Sequence, residues 1–279
     1  MKRGFLFIMV CLVFASTFGQ NSKPDTSKVY NLNYKFEIPL TIGLMATSFG
    51  GFIILNEKPT LTDIQITSLN KNNVWAFDRI ALEQNYSSST RKNALSISDW
   101  GIGVAVMLPA FLFLDKKIRK DWFDILFLFV ETQTISFNFY AYGGPMFVNR
   151  IRPFVYYSEA PMTEKQDKGA SDSFFSGHTS WTATASFFMA KVFSDYNPQL
   201  GAKKWLLFGA ALIPPAFVGY YRYKGLKHFP TDIIIGTAIG ATIGVLVPHF
   251  HKINRKNDKS ISLHPYAGEY SGLALKVTF

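Results

Sequence analysis

Cysteine is nearly missing from this chain of 279 residues, Cys11 being the one copy, so no disulfide can form within it. Charged residues are also scarce, at 17% against roughly 25% in soluble domains, which argues against an ordinary soluble surface. No internal repeat, glycine-rich nucleotide loop or metal-ligand cluster stands out, so nucleotide and metal chemistry have no motif to rest on. Acidic residues are few beside basic ones, 19 against 29, and the net charge is +10. The basic residues are scattered over loops and the tail without a recognisable binding fold. That excludes nucleic acid as a partner and leaves anionic headgroups and phosphate as their counterparts.

What is abundant is apolar: hydrophobic residues make up 48% and aromatics 16%, with 27 phenylalanines. Apolar helical runs are expected at Ile38–Leu55, Trp100–Leu114, Trp122–Tyr142, Phe174–Phe193, Trp205–Tyr220 and Ile233–Phe250. Several approach the roughly 17–25 residues that span a bilayer. The fold class is therefore all-α, a membrane-embedded bundle of about five to six apolar helices. Asp124 and Glu131 interrupt the third run, and an acidic residue inside a span faces protein or a cavity. A helix-to-helix hydrogen bond is the expected use of Glu131.

The ends differ from the middle. Lys2 and Arg3 precede an apolar run from Phe5 to Ala15, the pattern of a secretory signal or an uncleaved signal anchor. Val10 before Cys11 does not fit a lipoprotein signal. Between Asn56 and Ser98 the chain turns polar, and Leu61–Leu69 and Val74–Leu82 read as short amphipathic helices that pack over the bundle or line substrate entry. Ile261–Ala267 and Leu273–Phe279 alternate around Gly268–Gly272, a β-hairpin-like tail. His249, His251 and His264 are expected at the membrane edge or on the surface.

Positive charge sets an expected orientation. Lys116, Lys117, Arg119 and Lys120, then Lys203 and Lys204, then Lys252, Arg255, Lys256 and Lys259 mark three cytoplasmic segments. The alternate loops would face outward together. A cleaved signal followed by two crossings would put the Lys116–Lys120 loop on the wrong side. Either the signal fails to translocate or an early segment fails to cross, and glycine-bearing Ile38–Leu55 is the expected one.

Those outward loops carry the chemistry. Arg222, His228 and Asp232 stand in YRYKGLKHFPTD, and Arg-x5-His-x3-Asp arises by chance on the order of once in a hundred such chains. Pro230 suits the first position of a helix, which puts His228 just before it and Asp232 in its first turn. One imidazole nitrogen could then face a substrate while the other donates to the carboxylate, making His228 a candidate nucleophile and Asp232 its orienter. Ser176 reads as the N-cap of a second helix whose Gly177 and His178 amides are unpaired donors, a ready phosphate site. His178 beside that anion could protonate a leaving oxygen. Arg152 and Arg222 would clamp the phosphate oxygens with paired, permanently charged donors.

At these residues the chain resembles the type 2 phosphatidic acid phosphatase and vanadium haloperoxidase superfamily, whose signature reads Lys-x6-Arg-Pro, Pro-Ser-Gly-His and Ser-Arg-x5-His-x3-Asp. Arg152 and Pro153 match the first motif, Ser176, Gly177 and His178 the second, and Arg222, His228 and Asp232 the third. The resemblance implies a phospho-histidine intermediate on His228, protonation of the leaving group by His178, and phosphate binding by the arginines with Ser176 and Gly177. It implies no metal and no cofactor. The family lysine falls at Pro145, the motif proline at Phe175 and the motif serine at Tyr221; Arg150 is the expected substitute for the lysine.

The expected function is hydrolysis of a lipid phosphomonoester or pyrophosphate at the outer face of a bacterial-type inner membrane, with the site facing the periplasm. Outer membrane and periplasm are the alternative locations. A soluble acid phosphatase or vanadate-dependent haloperoxidase, and a non-catalytic membrane protein with a decayed site, are the alternative functions. The expected domains are a signal segment (1–20), an N-terminal apolar helix with an amphipathic surface region (21–98), a phosphatase core bundle (99–250) and a basic tail (251–279). The partners are a lipid phosphate and the membrane; the motifs leave the oligomeric state open.

Overall fold

The computed structural model describes residues 28–253, 260–267 and 271–278. The signal segment, with Cys11, and the basic residues Arg255, Lys256 and Lys259 lie outside them. Six long helices run through the described residues: α1 (Tyr34–Asn56), α2 (Ser88–Met107), α3 (Trp122–Gly143), α4 (Gly177–Tyr196), α5 (Ile213–Lys224) and α6 (Pro230–His251). A 3-10 segment, Leu108–Leu114, prolongs α2 beyond the point where Pro109 withdraws a backbone donor. Three of these stretches are long and apolar enough to cross a membrane: α1, Ser88–Leu114 and α6. After α6, β1 (Ser260–Ala267) and β2 (Ser271–Thr278) pair antiparallel.

The bundle is polar within and apolar without. Thr132, Thr134, Ser136, Asn138, Ser180, Thr182 and Thr184 are buried, whereas Ile42, Phe49, Ile53, Trp100, Val104, Phe111, Leu206 and Ile213 are exposed. Water would reverse that arrangement, so the outer apolar belt suits lipid. Helix association rests accordingly on interhelical hydrogen bonds and close backbones. Asn138 Nδ2 donates to the Leu44 carbonyl at 2.8 Å and to Ser48 Oγ at 2.7 Å, and Tyr142 donates to the Thr47 carbonyl at 2.6 Å, tying α3 to α1. Thr184 on α4 donates to Ser136 on α3 at 3.0 Å.

The closest pair of helices is α4 and α6. Along α6, Gly236, Gly240 and Gly244 recur every fourth residue and lie against the backbone of α4. A Cβ at Gly240 would stand 2.0 Å from the Ser180 carbonyl oxygen, and one at Gly236 would stand 2.5 Å from that of Ser176. Only a hydrogen side chain permits this approach. The start of α4 and the start of α6, which carry the two histidine motifs, are thereby brought together.

Two helices differ from the sequence expectation. The run Trp205–Tyr220 is broken into a short helix, Lys204–Ala210, and α5, because Pro214 and Pro215 fit only the opening turn of a helix. Helix α2 begins at Ser88, well before Trp100, because the Ser87 hydroxyl caps it by accepting from the Thr90 N–H at 3.3 Å. The polar region between α1 and α2 holds only short turns, Asp63–Thr67, Lys71–Asn73, Ala76–Arg79 and Ile80–Leu82. Leu61, Ile66, Val74, Ala81 and Leu82 bury themselves with Phe154, Val155, Tyr157, Leu226 and Phe229, so this region packs as a cap over one end of the bundle.

The two ends carry different chemistry. At one, the loop after α2, the end of α4 and the end of α6 meet: Tyr196 donates to Asp121 at 2.6 Å, Asn197 to Asp115 at 3.2 Å, and Lys252 pairs with Asp195 at 2.7 Å. The basic loops are therefore clustered. Helix α1 starts at this end, where the Asn31 N–H donates to the His251 carbonyl at 2.9 Å. It runs 23 residues toward the other end, long and apolar enough to cross a membrane.

Candidate active site

At the opposite end, two loops and three helix termini converge. Residues 150–152 run beside 170–173: the Ser173 N–H donates to the Arg150 carbonyl and the Arg152 N–H to the Ala170 carbonyl, each at 2.9 Å. This pairing fixes Arg150, Arg152 and Ser173 against the start of α6. The turn from α5 to α6 is tight, and Leu226 takes the left-handed conformation with φ 53°. Such a conformation costs a branched residue about 1–2 kcal/mol, and the buried apolar cap around Leu226 offsets it.

His228 is 2% exposed, and its Nδ1 lies 2.7 Å from the Ser173 carbonyl oxygen. A carbonyl only accepts, so Nδ1 carries the proton and Nε2 keeps its lone pair. Burial, followed by the positive charges of Arg152 and Arg222, holds the His228 pKa well below the ordinary imidazole value. The ring is thus neutral across the physiological range.

Asp232 does not take the hydrogen bond expected of it. Its Oδ2 is 4.0 Å from His228 Nδ1 and instead accepts from Ser173 Oγ at 2.6 Å and from the Phe229 N–H at 2.9 Å. The carboxylate caps the first turn of α6 and holds Ser173, whose carbonyl in turn holds the imidazole. Ser173 is the orienting group that the sequence did not reveal.

Arg150 is also placed differently from the expectation of a phosphate contact. Its Nη1 donates to Asp232 Oδ1 at 2.5 Å and to Thr231 Oγ1 at 2.8 Å, its Nη2 donates to Asp78 Oδ2 at 2.6 Å, and the guanidinium lies 4.4 Å from the centre of the Phe229 ring. Asp78, 1% exposed, further accepts from the Thr231 N–H and hydroxyl. The guanidinium is committed to two buried carboxylates and has little left for a ligand.

The remaining expected residues gather on the other side of His228. Ser176 caps α4, its Oγ accepting from the Thr179 N–H at 3.4 Å while its own N–H donates to the Asp232 carbonyl at 3.0 Å. A Cβ at Gly177 would meet the Tyr140 ring at 2.9 Å, so glycine is required where the helix opens. The Gly177 and His178 amides, in the first turn, have no acceptor within the helix. Arg152 donates through Nε to the Gly169 carbonyl at 2.7 Å and through Nη1 to the Lys227 carbonyl at 3.3 Å.

His178 and Arg222 meet on a carboxylate. Asp99 Oδ1 lies 3.1 Å from His178 Nε2 and accepts from Arg222 Nη1 at 3.0 Å; Arg222 Nη1 also donates to Ser98 Oγ at 3.1 Å. Arg222 Nε is buried without a hydrogen-bond partner among the described residues, an unused donor beside the site. Lys227, next to His228, is another basic group at the site, one that no motif marks. Burial, followed by the charges of Arg152, Arg222 and Arg91, pushes its pKa down to about 7.

Phe175, where the motif has proline, is buried and packs its ring at 5.7 Å from that of Tyr140. Tyr221, where the motif has serine, packs edge-on against Phe217, with ring centres 4.9 Å apart.

No curated protein matches the chain. Among solved structures, that of a transmembrane PAP2 type phosphatidylglycerolphosphate phosphatase from Bacillus subtilis is 21% identical, with a TM-score of 0.44, covering 81% of this chain and 100% of that one. Residues 134–256 match the model of the PAP2 superfamily, a segment that holds Arg152, Ser176, Gly177, His178, Arg222, His228 and Asp232. Over this segment the chain is similar to the PAP2 superfamily.

Proposed function

We propose that the protein is a membrane phosphatase that hydrolyses a lipid phosphomonoester or pyrophosphate through a phosphoenzyme on His228. The observation that carries this reading is the state of that imidazole: buried, neutral, protonated on Nδ1 by its bond to the Ser173 carbonyl, and flanked by two arginines. Nε2 attacks phosphorus in line; an N–P bond forms as the P–O bond to the leaving group breaks. His178 gives its proton to the departing oxygen and later takes one from the water that cleaves the N–P bond. Arg222, Arg152 and the first amides of α4 stabilise the charge on the transferring group.

Asp99 holds the place of an anion. Its carboxylate accepts from both His178 and Arg222, as a phosphate oxygen would, and a bound phosphate displaces it from Arg222. Lys227 supplies the cation that Pro145 lacks, and a bound phosphate dianion returns it to its protonated form. Arg150, with Asp78, is a positioning residue: it fixes Asp232, which fixes Ser173, which fixes His228.

The exposed apolar belt and three membrane-length helices favour a lipid substrate over a soluble one. Clustered basic loops support a cytoplasmic location for the other end and an outward-facing site. Rapid quenching with radiolabelled lipid phosphate tests the mechanism. An acid-labile, base-stable phosphoprotein in wild type and none in His228→Ala supports it; turnover with no such species overturns it.

A further inference from the structure

The basic end of the bundle holds a second cluster of ionisable groups, about 30 Å from His228 along the helical rise of α6. Glu37 in the first turn of α1, Glu131 in the middle of α3 and His251 at the end of α6 are all buried, and one ligand atom from each lies within 4.8 Å of the others. The sequence placed His251 at an edge or on the surface and gave Glu131 an ordinary hydrogen bond. Neither holds: His251 is 8% exposed, and both oxygens of Glu131, which is 0% exposed, have no hydrogen-bond partner among the described residues.

We propose that Glu37, Glu131 and His251 bind one divalent transition-metal ion, of which zinc best suits the ligand set. Three observations lead there. First, His251 Nδ1 lies 2.8 Å from the Val247 carbonyl, so Nδ1 carries a proton and the neutral imidazole turns its Nε2 lone pair to the cluster. Metal-bound histidines are characteristically held in this way by a backbone carbonyl.

Second, His251 Nε2 is 3.4 Å from Glu37 Oε1 and 3.6 Å from Glu131 Oε2. Charge-assisted hydrogen bonds are shorter, about 2.7–2.9 Å. The edge of a tetrahedron whose centre lies about 2.0–2.1 Å from each corner is roughly 3.4 Å, the separation of ligands around zinc.

Third, charge decides between occupants. Two carboxylates and a neutral imidazole carry two negative charges, which a divalent cation cancels. Glu37 Oε1 already accepts from the Asn33 N–H at 3.1 Å, while Glu37 Oε2 and both Glu131 oxygens remain unpartnered in the interior. Three helices, α1, α3 and α6, are joined at this point, so the ion is a structural tie and takes no part at His228.

The test uses the full chain in detergent. After removal of bound metal with a chelator, zinc and, separately, cobalt are titrated into wild type, Glu131→Gln, His251→Gln and the control His249→Gln, with metal content by mass spectrometry and the visible spectrum of the cobalt form as readouts. Wild type and His249→Gln should take up one equivalent, cobalt giving the absorption of a tetrahedral site and zinc raising the thermal midpoint. Glu131→Gln and His251→Gln should bind at least about 100-fold more weakly, with midpoints that zinc does not move. Should either variant fail to fold, Glu37→Gln replaces it. Wild type that takes up neither metal, or a Glu131→Gln protein that binds as well as wild type, overturns the site; the three groups then share protons instead.

Discussion

Gly240→Ala is a small change with a large expected consequence. The added Cβ would stand 2.0 Å from the Ser180 carbonyl oxygen, 2.7 Å from the Ser180 carbonyl carbon and 2.9 Å from its Cα. All three are backbone atoms of α4, so no side chain can turn aside. Ordinary carbon contacts lie near 3.5 Å, and α4 and α6 must part by roughly 1.5 Å. Overpacking of this kind costs about 1–3 kcal/mol, and the better helix propensity of alanine returns about 1 kcal/mol of it. The functional cost is larger, because α4 carries Ser176 and His178 while the start of α6 carries His228 and Asp232. A misplacement of about 1 Å between reacting groups lowers turnover by about 100-fold. Phosphate release and thermal unfolding in detergent measure both effects. Gly43→Ala in α1 is the control: no heavy atom lies within 4 Å of its Cβ, and it should stabilise by about 0.5–1 kcal/mol at full activity. Full turnover in Gly240→Ala, or equal damage from Gly43→Ala, would refute the close α4–α6 contact as the device that sets the site.

Other expected outcomes follow from the same geometry. Arg150→Met leaves the buried carboxylates of Asp78 and Asp232 without their partner and should destabilise by about 3–5 kcal/mol. In protein that remains folded, kcat should fall with KM little changed; a rise in KM alone would return Arg150 to phosphate binding. Lys227 is protonated below about pH 7 and neutral above it in the free enzyme, so wild-type KM should rise as pH climbs past 7. Lys227→Arg keeps its charge and should flatten that rise, and an unchanged KM profile would show that Lys227 does not face the phosphate. The depressed pKa of His228 means that below about pH 6.5 the unfolded chain binds a proton the folded one refuses. The contribution of His228 to stability is therefore complete above that pH and lost as pH falls, and His228→Gln should lessen the acid slope of the unfolding midpoint. Vanadate should inhibit by occupying the phosphate site, with weaker inhibition in Arg222→Ala.

Local signals in the sequence were read well because they are local in physics. Pro230 opens α6 and Ser176 caps α4, and each follows from backbone donors available within one turn. That was enough to place His228 and His178 at two helix starts. What could not be read was which groups meet across the chain. Ser173, Asp78 and Asp99 lie on other segments, and their contacts with His228, Arg150 and Arg222 exist only once α2, α5 and α6 are packed. Asp99 did leave a trace, an acid at the head of the apolar run WGIGVAVML, as did the four-residue spacing of Gly236, Gly240 and Gly244. The break after Lys204–Ala210 was legible in Pro214 and Pro215. Misreading Arg150 had a different cause: a motif fixes a residue's place along the chain, whereas the two buried carboxylates fix where its guanidinium goes.

The central claim is that His228 attacks a lipid phosphate. Phosphate release from a panel of lipid phosphomonoesters and pyrophosphates, measured for wild type and His228→Ala in detergent, tests it most directly. The account predicts release by wild type from at least one lipid and none above background from the folded variant. Equal release by both, or none by folded wild type from any lipid, would contradict it.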